Sequence, residues 1–165
     1  IAAGPGHRKD MSDVIETVDV AVPVRTAYNQ WTQFEEFPRF MEGVEEITQV
    51  SDSLTHWKIK IGGVRREFDA EITEQRPDEV VSWRALDGHY NSGRVLFEKV
   101  DQATTKVTVE MEHETEGMIE TLGSAIGSDS RQVKGDLERF KEFIESRGAE
   151  TGGWRGEVNA GERVR

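Results

Sequence analysis

The sequence predicts an α+β domain in which a curved antiparallel sheet of about seven strands precedes a long terminal helix. Between residues 12 and 114, short segments of alternating apolar and polar residues are separated by turn residues, and one early stretch has helical spacing. Beyond residue 118 the apolar residues recur at intervals of three and four until Gly148. This change of period marks the passage from sheet to helix.

The centre of the chain, residues 56–85, is predicted to form two consecutive β-hairpins. Gly62-Gly63 is a two-residue turn that accepts positive φ angles. Counting outward from it gives an apolar face of three cross-strand pairs, Ile61–Val64, Ile59–Arg66 and Trp57–Phe68. The opposite face pairs opposite charges, Lys58 with Glu67 and His56 with Asp69. This is the pattern of a half-buried antiparallel sheet.

The second hairpin turns at Pro77-Asp78, which we interpret as a type I turn because proline presets φ at its first central position. Counting back from it gives three more pairs, Ile72–Trp83 and Ala70–Ala85 on the apolar face and Glu71–Arg84 on the outer face. A slip of one residue would move every side chain to the other face. Two independent turns predict the same inner face, which supports the register.

Several elements precede the hairpins. Residues 12–22 alternate and are rich in β-branched side chains, which predicts the first strand. Pro23 then begins a helix over residues 24–34, whose apolar side chains recur at intervals of three and four. A short second helix or turn interrupted by Pro38 follows, and then a strand over residues 44–50.

The hairpins are followed by two more strands and a helix. Residues 94–100 and 106–114 alternate as strands do, after a loop over residues 87–93. The terminal helix is predicted to end at Gly148. Glycines and serines weaken its first half, which predicts either a break there or a helix that starts near Asp129.

Both ends of the chain lie outside the predicted domain, which covers residues 12–148. Residues 1–11 are small, polar and without pattern, and we interpret them as a remnant of a cloning vector or a disordered N-terminus. Residues 149–165 are rich in glycine, with Trp154 as their only large apolar group. A mobile C-terminal tail is predicted there.

Composition and charge exclude several classes of function. The formal net charge of -11 disfavours nucleic acid and anionic membrane surfaces as partners. No apolar run reaches the roughly 18 residues of a membrane span, and no signal peptide is visible. The absence of cysteine removes disulfides and thiolate chemistry. These features predict a cytoplasmic protein without integral membrane association.

The sequence predicts no metal and no cofactor. No two histidines share a short spacing, and Gly62-Gly63 is a hairpin turn, not a phosphate-binding loop. The sequence does not distinguish a monomer from a homodimer.

Four stretches of the sequence resemble a known superfamily: VDVAVPVRTAYNQWTQFEEFPRFMEGVEEI, GGVRREFDAEITEQRPDEVVSWRALDG, SGRVLFEKV and VKGDLERFKEFIESRG. Together with the order of the elements, they resemble the START-like or SRPBCC superfamily of polyketide cyclases/dehydrases and lipid-transport proteins. The likeness is strongest to small bacterial members grouped with coenzyme Q-binding proteins, and it covers residues 12–148. No stretch is similar to a cyclase active-site motif, so no catalytic residue is carried over.

The resemblance implies the helix-grip fold, in which the curved sheet wraps around the terminal helix and an elongated apolar cavity lies between them. The superfamily includes lipid and quinone carriers, hormone receptors and aromatase/cyclases. Fold alone therefore does not select the function.

Arg66 is the sharpest candidate for a functional residue because the register places it on the apolar face. An unpaired guanidinium is costly to bury, so inside a cavity it would anchor a ligand oxygen. Alternatively it extends to solvent at the end of the sheet and covers Ile59 with its stem. His113, which alternates with Met111, and Tyr90, in the 87–93 loop, are the other candidates for catalysis or ligand binding. An ordinary structural role is the alternative for each.

The predicted ligand cavity combines the inner sheet face with that loop: Trp57, Ile59, Arg66, Phe68, Trp83, Tyr90, Phe97, Met111 and His113. The leading hypothesis is binding or transport of a small hydrophobic or amphipathic molecule such as a lipid, quinone or polyketide, which requires a cavity of about 300 Å³ or more. One alternative is a polyketide cyclase/dehydrase-type enzyme, which needs two convergent ionisable groups. The other is a stress-related or interaction module whose cavity is filled by side chains.

Overall fold

The fold is that of a computed structural model, which describes residues 11–61, 63–86, 92–114 and 118–164. Side chains are described at 14–60, 63–86, 92–111 and 131–164. Residues 1–10 of the predicted N-terminal remnant lie outside the described residues, as do residues 87–91 of the predicted loop.

The described elements follow in this order: β1 (Met11–Val20), α1 (Val24–Trp31), a 3-10 helix (Phe34–Arg39), β2 (Val44–Gln49), β3 (Leu54–Ile61), β4 (Val64–Arg76), β5 (Val80–Ala85), β6 (Ser92–Asp101), β7 (Thr104–Glu114), α2 (Met118–Arg147), β8 (Val158–Asn159) and β9 (Glu162–Arg163). The predicted α+β class is confirmed. The predicted second short helix is a 3-10 helix, because Pro38 inside it cannot donate an N–H to a longer α-helix.

The main sheet has the spatial order β1-β7-β6-β5-β4-β3-β2, and each neighbouring pair is antiparallel. The helix α2 packs against its inner face and buries Leu137, Phe140 and Ile144 to an exposure of 2% or less. This is the predicted arrangement of a sheet wrapped around the terminal helix.

The register of the central hairpins agrees with the prediction. The three apolar-face pairs around the first turn, including Ile59 with Arg66, are observed. Around the second turn, Ile72 pairs with Trp83 and Ala70 with Ala85. The inner face of the sheet was therefore predicted correctly from the two turns.

The type of the second turn was predicted wrongly. Asp78 takes a positive φ of 66°, which a type II turn requires at that position and a type I turn does not. The pairing next to the turn is also offset by one residue, since Arg76 pairs with Val80. A β-bulge between Ile72 and Glu74 removes the offset, so the predicted pairs beyond the bulge are still found.

An aromatic cluster joins α1 and the 3-10 helix to α2. The ring centroid of Trp31 lies 5.1 Å from that of Phe37, 5.4 Å from Phe40 and 5.1 Å from Phe140. Edge-to-face and tilted contacts of this kind each add about 0.5–1.5 kcal/mol beyond burial. The cluster holds the two short helices against the C-terminal half of α2.

The backbone of α2 is helical without interruption from Met118 to Arg147, so the predicted break is not observed. The helix ends as predicted at Gly148, which takes a φ of 74° and donates its N–H to Ile144 O at 2.9 Å. Among the described residues, no helix combines the length and the apolar character that a membrane crossing requires.

The C-terminal segment, for which a mobile tail was predicted, contains the short strands β8 and β9. The strand β8 pairs with Glu74 and Gln75 of β4, beyond the point where β3 stops pairing with β4. Val158 is 1% exposed, and Trp154 packs against the core. The sequence does not reveal this because two-residue strands have no measurable period and the segment binds mainly through polar groups.

His56 on β3 gives a pH-dependent test of the hairpin register. Its Nδ1 lies 2.7 Å from Asp69 Oδ1, and its Nε2 lies 3.1 Å from Glu67 Oε1. The hydrogen bond with Asp69, and then that with Glu67, raises the pKa of His56. A raised pKa means that the folded state binds the proton more tightly. The stabilisation is therefore full below the unfolded-state pKa of about 6.5 and is lost as pH rises through the folded-state pKa.

We expect His56→Gln to lower the free energy of unfolding at about pH 5.5 and to have no effect at about pH 9. The difference at low pH should stay below about 1 kcal/mol because both acids are largely exposed. Urea denaturation across this range measures it. Lys58→Gln is the control, since it changes the next outward-facing position of β3 and leaves His56 in place. A pH-independent loss in His56→Gln would contradict the assigned bonds.

Candidate functional site

A cavity of about 90 Å³ lies between the inner face of the sheet and α2, where the ligand cavity was predicted. Its wall is mostly apolar and includes three indole rings. The described lining residues are Trp31, Met41, Gly43, Val44, Trp57, Ile59, Trp83, Val109, Met111, Gln132, Val133, Asp136 and Leu137.

Two tryptophans form the sheet side of the cavity. The rings of Trp57 and Trp83 are stacked, with centroids 5.9 Å apart and an interplanar angle of 28°. Phe68 also stacks on Trp57, at 5.7 Å and 18°. Trp57 Nε1 donates a hydrogen bond to Thr55 Oγ1 at 2.7 Å. The Trp57 ring is therefore fixed by packing and has its polar group satisfied.

Trp31 brings the third indole, from α1. Its side chain is 1% exposed, and its Nε1–H has no hydrogen-bond acceptor among the residues that the structure describes. Leaving such a donor buried and unpaired costs about 1–3 kcal/mol. Trp31 therefore differs from Trp57, whose N–H has an acceptor.

Asp136 on α2 is the charged group of the wall. Its Oδ1 accepts a hydrogen bond from the Glu42 backbone N–H at 3.1 Å and is paired with Arg139. Arg139 also donates its Nε–H to Phe40 O at 3.1 Å, so it links α2 to the segment before β2. Burial raises the pKa of Asp136, against the opposing effects of these two donors. The carboxyl group therefore retains its proton to a higher pH than an exposed aspartate.

The predicted cavity residues fall into two groups. Trp57, Ile59, Trp83 and Met111 line the cavity. Within the described part of the chain, Phe68 packs on Trp57 and Phe97 packs edge-on against Tyr28 at 5.4 Å, and neither lines the cavity.

The predicted polar residues are not brought together in the described cavity. Arg66 has the predicted register opposite Ile59 and is half-buried, but it is not one of the described lining residues. The backbone of His113 pairs with Ser12 in the sheet, and its side chain lies outside the description. Tyr90 lies outside the described residues.

Sequence reasoning did not include Asp136 or Trp31 in the predicted cavity wall. One available signal was the position of Asp136 between Val133 and Leu137, on the edge of the apolar stripe of α2. Its partner Glu42 is 94 residues away in the chain, which no spacing rule connects.

A larger, open groove of about 430 Å³ is lined by Ile15 of β1 and by residues of β4 to β7, and it shares Trp83 and Met111 with the smaller cavity. Its charged groups are already paired: Arg94 with Glu110 at 2.8 Å, and Arg84 with Glu71 at 2.7 Å. We therefore regard the smaller, apolar cavity as the candidate site.

The described wall offers apolar contact and one ionisable group. Asp136 is the one ionisable side chain among the described lining residues, whereas proton transfer between two positions needs a second group. In the same part of the chain, no cluster of three or more His, Asp or Glu side chains is placed to hold a metal ion.

Comparison with known proteins identifies the family of this chain and solved structures that share its fold. Residues 20–142 match the family described as polyketide cyclase/dehydrase and lipid transport. An uncharacterized 17.2 kDa protein of Streptomyces lincolnensis is 56% identical over 149 residues, which are 90% of this chain and 99% of that protein.

Two solved structures illustrate the shared fold. DR_A0006 of Deinococcus radiodurans is 25% identical, with a TM-score of 0.66 over 82% of this chain and 99% of that one. The Zhui aromatase/cyclase of Streptomyces sp. R1128 is 16% identical, with a TM-score of 0.70 over 87% of this chain and 99% of that one. At that identity, the second likeness shows the fold alone.

The raised pKa of Asp136 gives a stability test with a defined sign. Because the folded state binds the proton more tightly, the stability of the wild type relative to Asp136→Asn should fall as pH rises from about 4 to the raised pKa, and then level off. Denaturant titrations at several pH values measure this slope.

Glu145 is the matched control because the hydrogen bond from Lys141 lowers its pKa. Its stabilisation is present above the unfolded-state pKa and is lost as pH falls, so the wild type compared with Glu145→Gln should show the opposite slope. Slopes of the same sign in both pairs would contradict the environment assigned to Asp136.

Proposed function

Because the chain belongs to the polyketide cyclase/dehydrase and lipid transport family, we propose that it binds a small apolar molecule with a hydrogen-bond acceptor, in the cavity between the sheet and α2. The observation that carries the proposal is the combination of an aromatic wall with the buried Nε1–H of Trp31, which has no acceptor in the described part of the chain. An apolar body would gain affinity by leaving water, and an acceptor oxygen would satisfy the buried donor.

Asp136 supports the same ligand chemistry. With its pKa raised by burial, its carboxyl group is more readily protonated and can then donate a hydrogen bond. Trp31 and Asp136 would then both favour acceptor oxygens on the ligand. Of the predicted classes, a lipid, a quinone or a polyketide, the head of a quinone matches this chemistry best because it is one ring bearing two carbonyl oxygens.

The size of the cavity limits the ligand. A volume of about 90 Å³ is smaller than the roughly 150 Å³ of an engineered cavity that binds benzene, and well below the roughly 300 Å³ of typical ligand sites. A single ring would therefore require the wall to adjust. Met41 and Met111 are the wall residues best suited to this, since methionine is unbranched and flexible.

A pair of similarly shaped probes tests the proposal. Acetophenone has a carbonyl oxygen where isopropylbenzene has a methyl group, and ligand-detected NMR measures the affinity of each. We expect Trp31→Phe to lower the ratio of acetophenone to isopropylbenzene affinity by about threefold to tenfold, as the loss of one hydrogen bond of about 0.6–1.4 kcal/mol requires.

Trp57→Phe is the control for this experiment because it also replaces a wall indole, but one whose N–H already bonds to Thr55 Oγ1. The ratio should stay at the wild-type value in that variant. Binding of neither probe to the wild type would count against the proposal, and an unchanged ratio in Trp31→Phe would remove the role given to its indole N–H.

The cyclase/dehydrase alternative gives Arg66 a direct role, polarising a carbonyl group, with Tyr90 or His113 handling protons. The binding proposal expects Arg66→Leu to leave acetophenone affinity unchanged, because Arg66 is not a described lining residue. Titration of the variant by NMR measures this. A loss of affinity with the melting temperature preserved would place Arg66 at the ligand and favour the enzyme.

The small volume favours a non-catalytic module with a filled cavity as the second candidate. That function predicts that neither probe binds and that Trp31→Phe changes stability alone. The probe titrations therefore separate the two candidates.

A further inference from the structure

The outer side of α1 carries polar residues that are buried instead of exposed. Asn29, Gln30 and Thr32 are 6%, 0% and 3% exposed. A helix at the edge of a domain normally turns such residues to water. Here residues 150–157, which we call the C-terminal strap, lie over them.

The strap supplies hydrogen-bond partners for these buried groups. Asn29 Nδ2 donates to Glu150 Oε2 at 2.9 Å. The side chain of Gln30 bonds twice to Thr151, donating to its Oγ1 at 3.0 Å and accepting from its N–H at 2.9 Å. Trp154 N–H donates to Thr32 Oγ1 at 3.0 Å. The strap is thus bonded to α1 along the last turn of the helix.

Arg155 joins the strap to two other parts of the fold. Its Nη1 donates to Asn29 Oδ1 at 2.8 Å, and its Nη2 lies 2.9 Å from Asp78 Oδ1 in the β4–β5 turn. Its guanidinium also lies over the ring of Tyr28, 5.5 Å from the centroid. One side chain therefore connects the strap, α1 and the sheet.

The strap approaches α1 too closely for a side chain at Gly153. A Cβ added there would lie 2.8 Å from Asn29 Cγ, closer than such atoms approach in proteins. The glycines that suggest a mobile tail thus permit close contact with the helix.

The aromatic contacts of Trp31 hold the inner side of α1, but the helix itself has little to fix its outer side. It is eight residues long, begins after Pro23 without a side-chain cap, and is shorter than helices that are stable alone. Its last residue is Trp31, which lines the cavity. Whatever holds the last turn of α1 from outside therefore acts together with those aromatic contacts in positioning the Trp31 indole.

We infer that the C-terminal strap positions Trp31 in the cavity wall, with Arg155 as its main positioning residue. Where it concerns ligand affinity, this inference rests on the proposed function. The strap lies beyond residues 20–142, which match the family, so it is a feature of this chain outside the matched region. Cavity affinity then depends on side chains that do not touch the ligand.

Hydrogen exchange of the full-length protein tests the positioning without any ligand. Arg155→Met removes the guanidinium, and we expect the amides of residues 28–31 to exchange about tenfold faster or more, with those of β5 unchanged. Arg84→Met is the matched control, since it also removes an arginine from an ion pair, and exchange in α1 should stay at the wild-type rate. Unchanged exchange in α1 of Arg155→Met would overturn the inference. If Arg155→Met does not fold, Gly153→Ala provides the same comparison.

Affinity is the second readout. We expect acetophenone to bind Arg155→Met about threefold to tenfold more weakly than the wild type, with no loss in Arg84→Met. Faster exchange in α1 with unchanged affinity would overturn the link to the cavity. If the wild type itself does not bind acetophenone, the proposed function fails, whereas the exchange experiment still decides whether the strap positions α1.

Discussion

The register of the two central hairpins is the constraint on which the cavity depends. Trp57 and Trp83 belong to different hairpins, yet both face α2 because the two turns fix the pairing of β3, β4 and β5. A slip of one residue at either turn would move an indole to the outer face and bring charged side chains towards the helix. The aromatic cluster of α1 and the buried face of α2 both pack against the surface that this register creates.

Turn residues and the spacing of apolar residues involve only positions that are close in the sequence. They were sufficient to predict the sheet, its inner face and the end of α2 at Gly148. The second turn shows the limit of such reasoning: a bulge at Glu74 compensates for the offset at Asp78, so the register was right although the turn type was wrong. The polar groups of the cavity could not be predicted in this way. The carboxylate of Asp136 accepts a hydrogen bond from the backbone N–H of Glu42, and only the folded chain brings these two distant segments together.

The C-terminal strap was missed for a related reason. Amphipathic patterns assume that one side of a helix faces the core and the other faces water. Asn29 and Gln30 fit the water-facing side, and the glycine-rich segment fits a mobile tail, so each pattern is reasonable alone. Together they form a hydrogen-bonded contact that buries both. Because the polar groups of the two segments bond to each other, neither segment has a periodic pattern of apolar residues that would reveal the contact.

The polar groups around the cavity bear on whether it is a packing defect or a site. Voids left by imperfect packing are apolar and stay dry, because their walls have no polar groups that need a hydrogen-bond partner. Trp31, one of the wall residues, has a buried Nε1–H with no acceptor among the residues that the structure describes, and burial raises the pKa of Asp136. An unpaired donor at about 1–3 kcal/mol is a substantial fraction of a total stability of about 5–15 kcal/mol. Phenylalanine at position 31 would avoid that cost, whereas a ligand with an acceptor oxygen would use the donor. The indole at position 31 therefore supports the proposed binding site over a filled core.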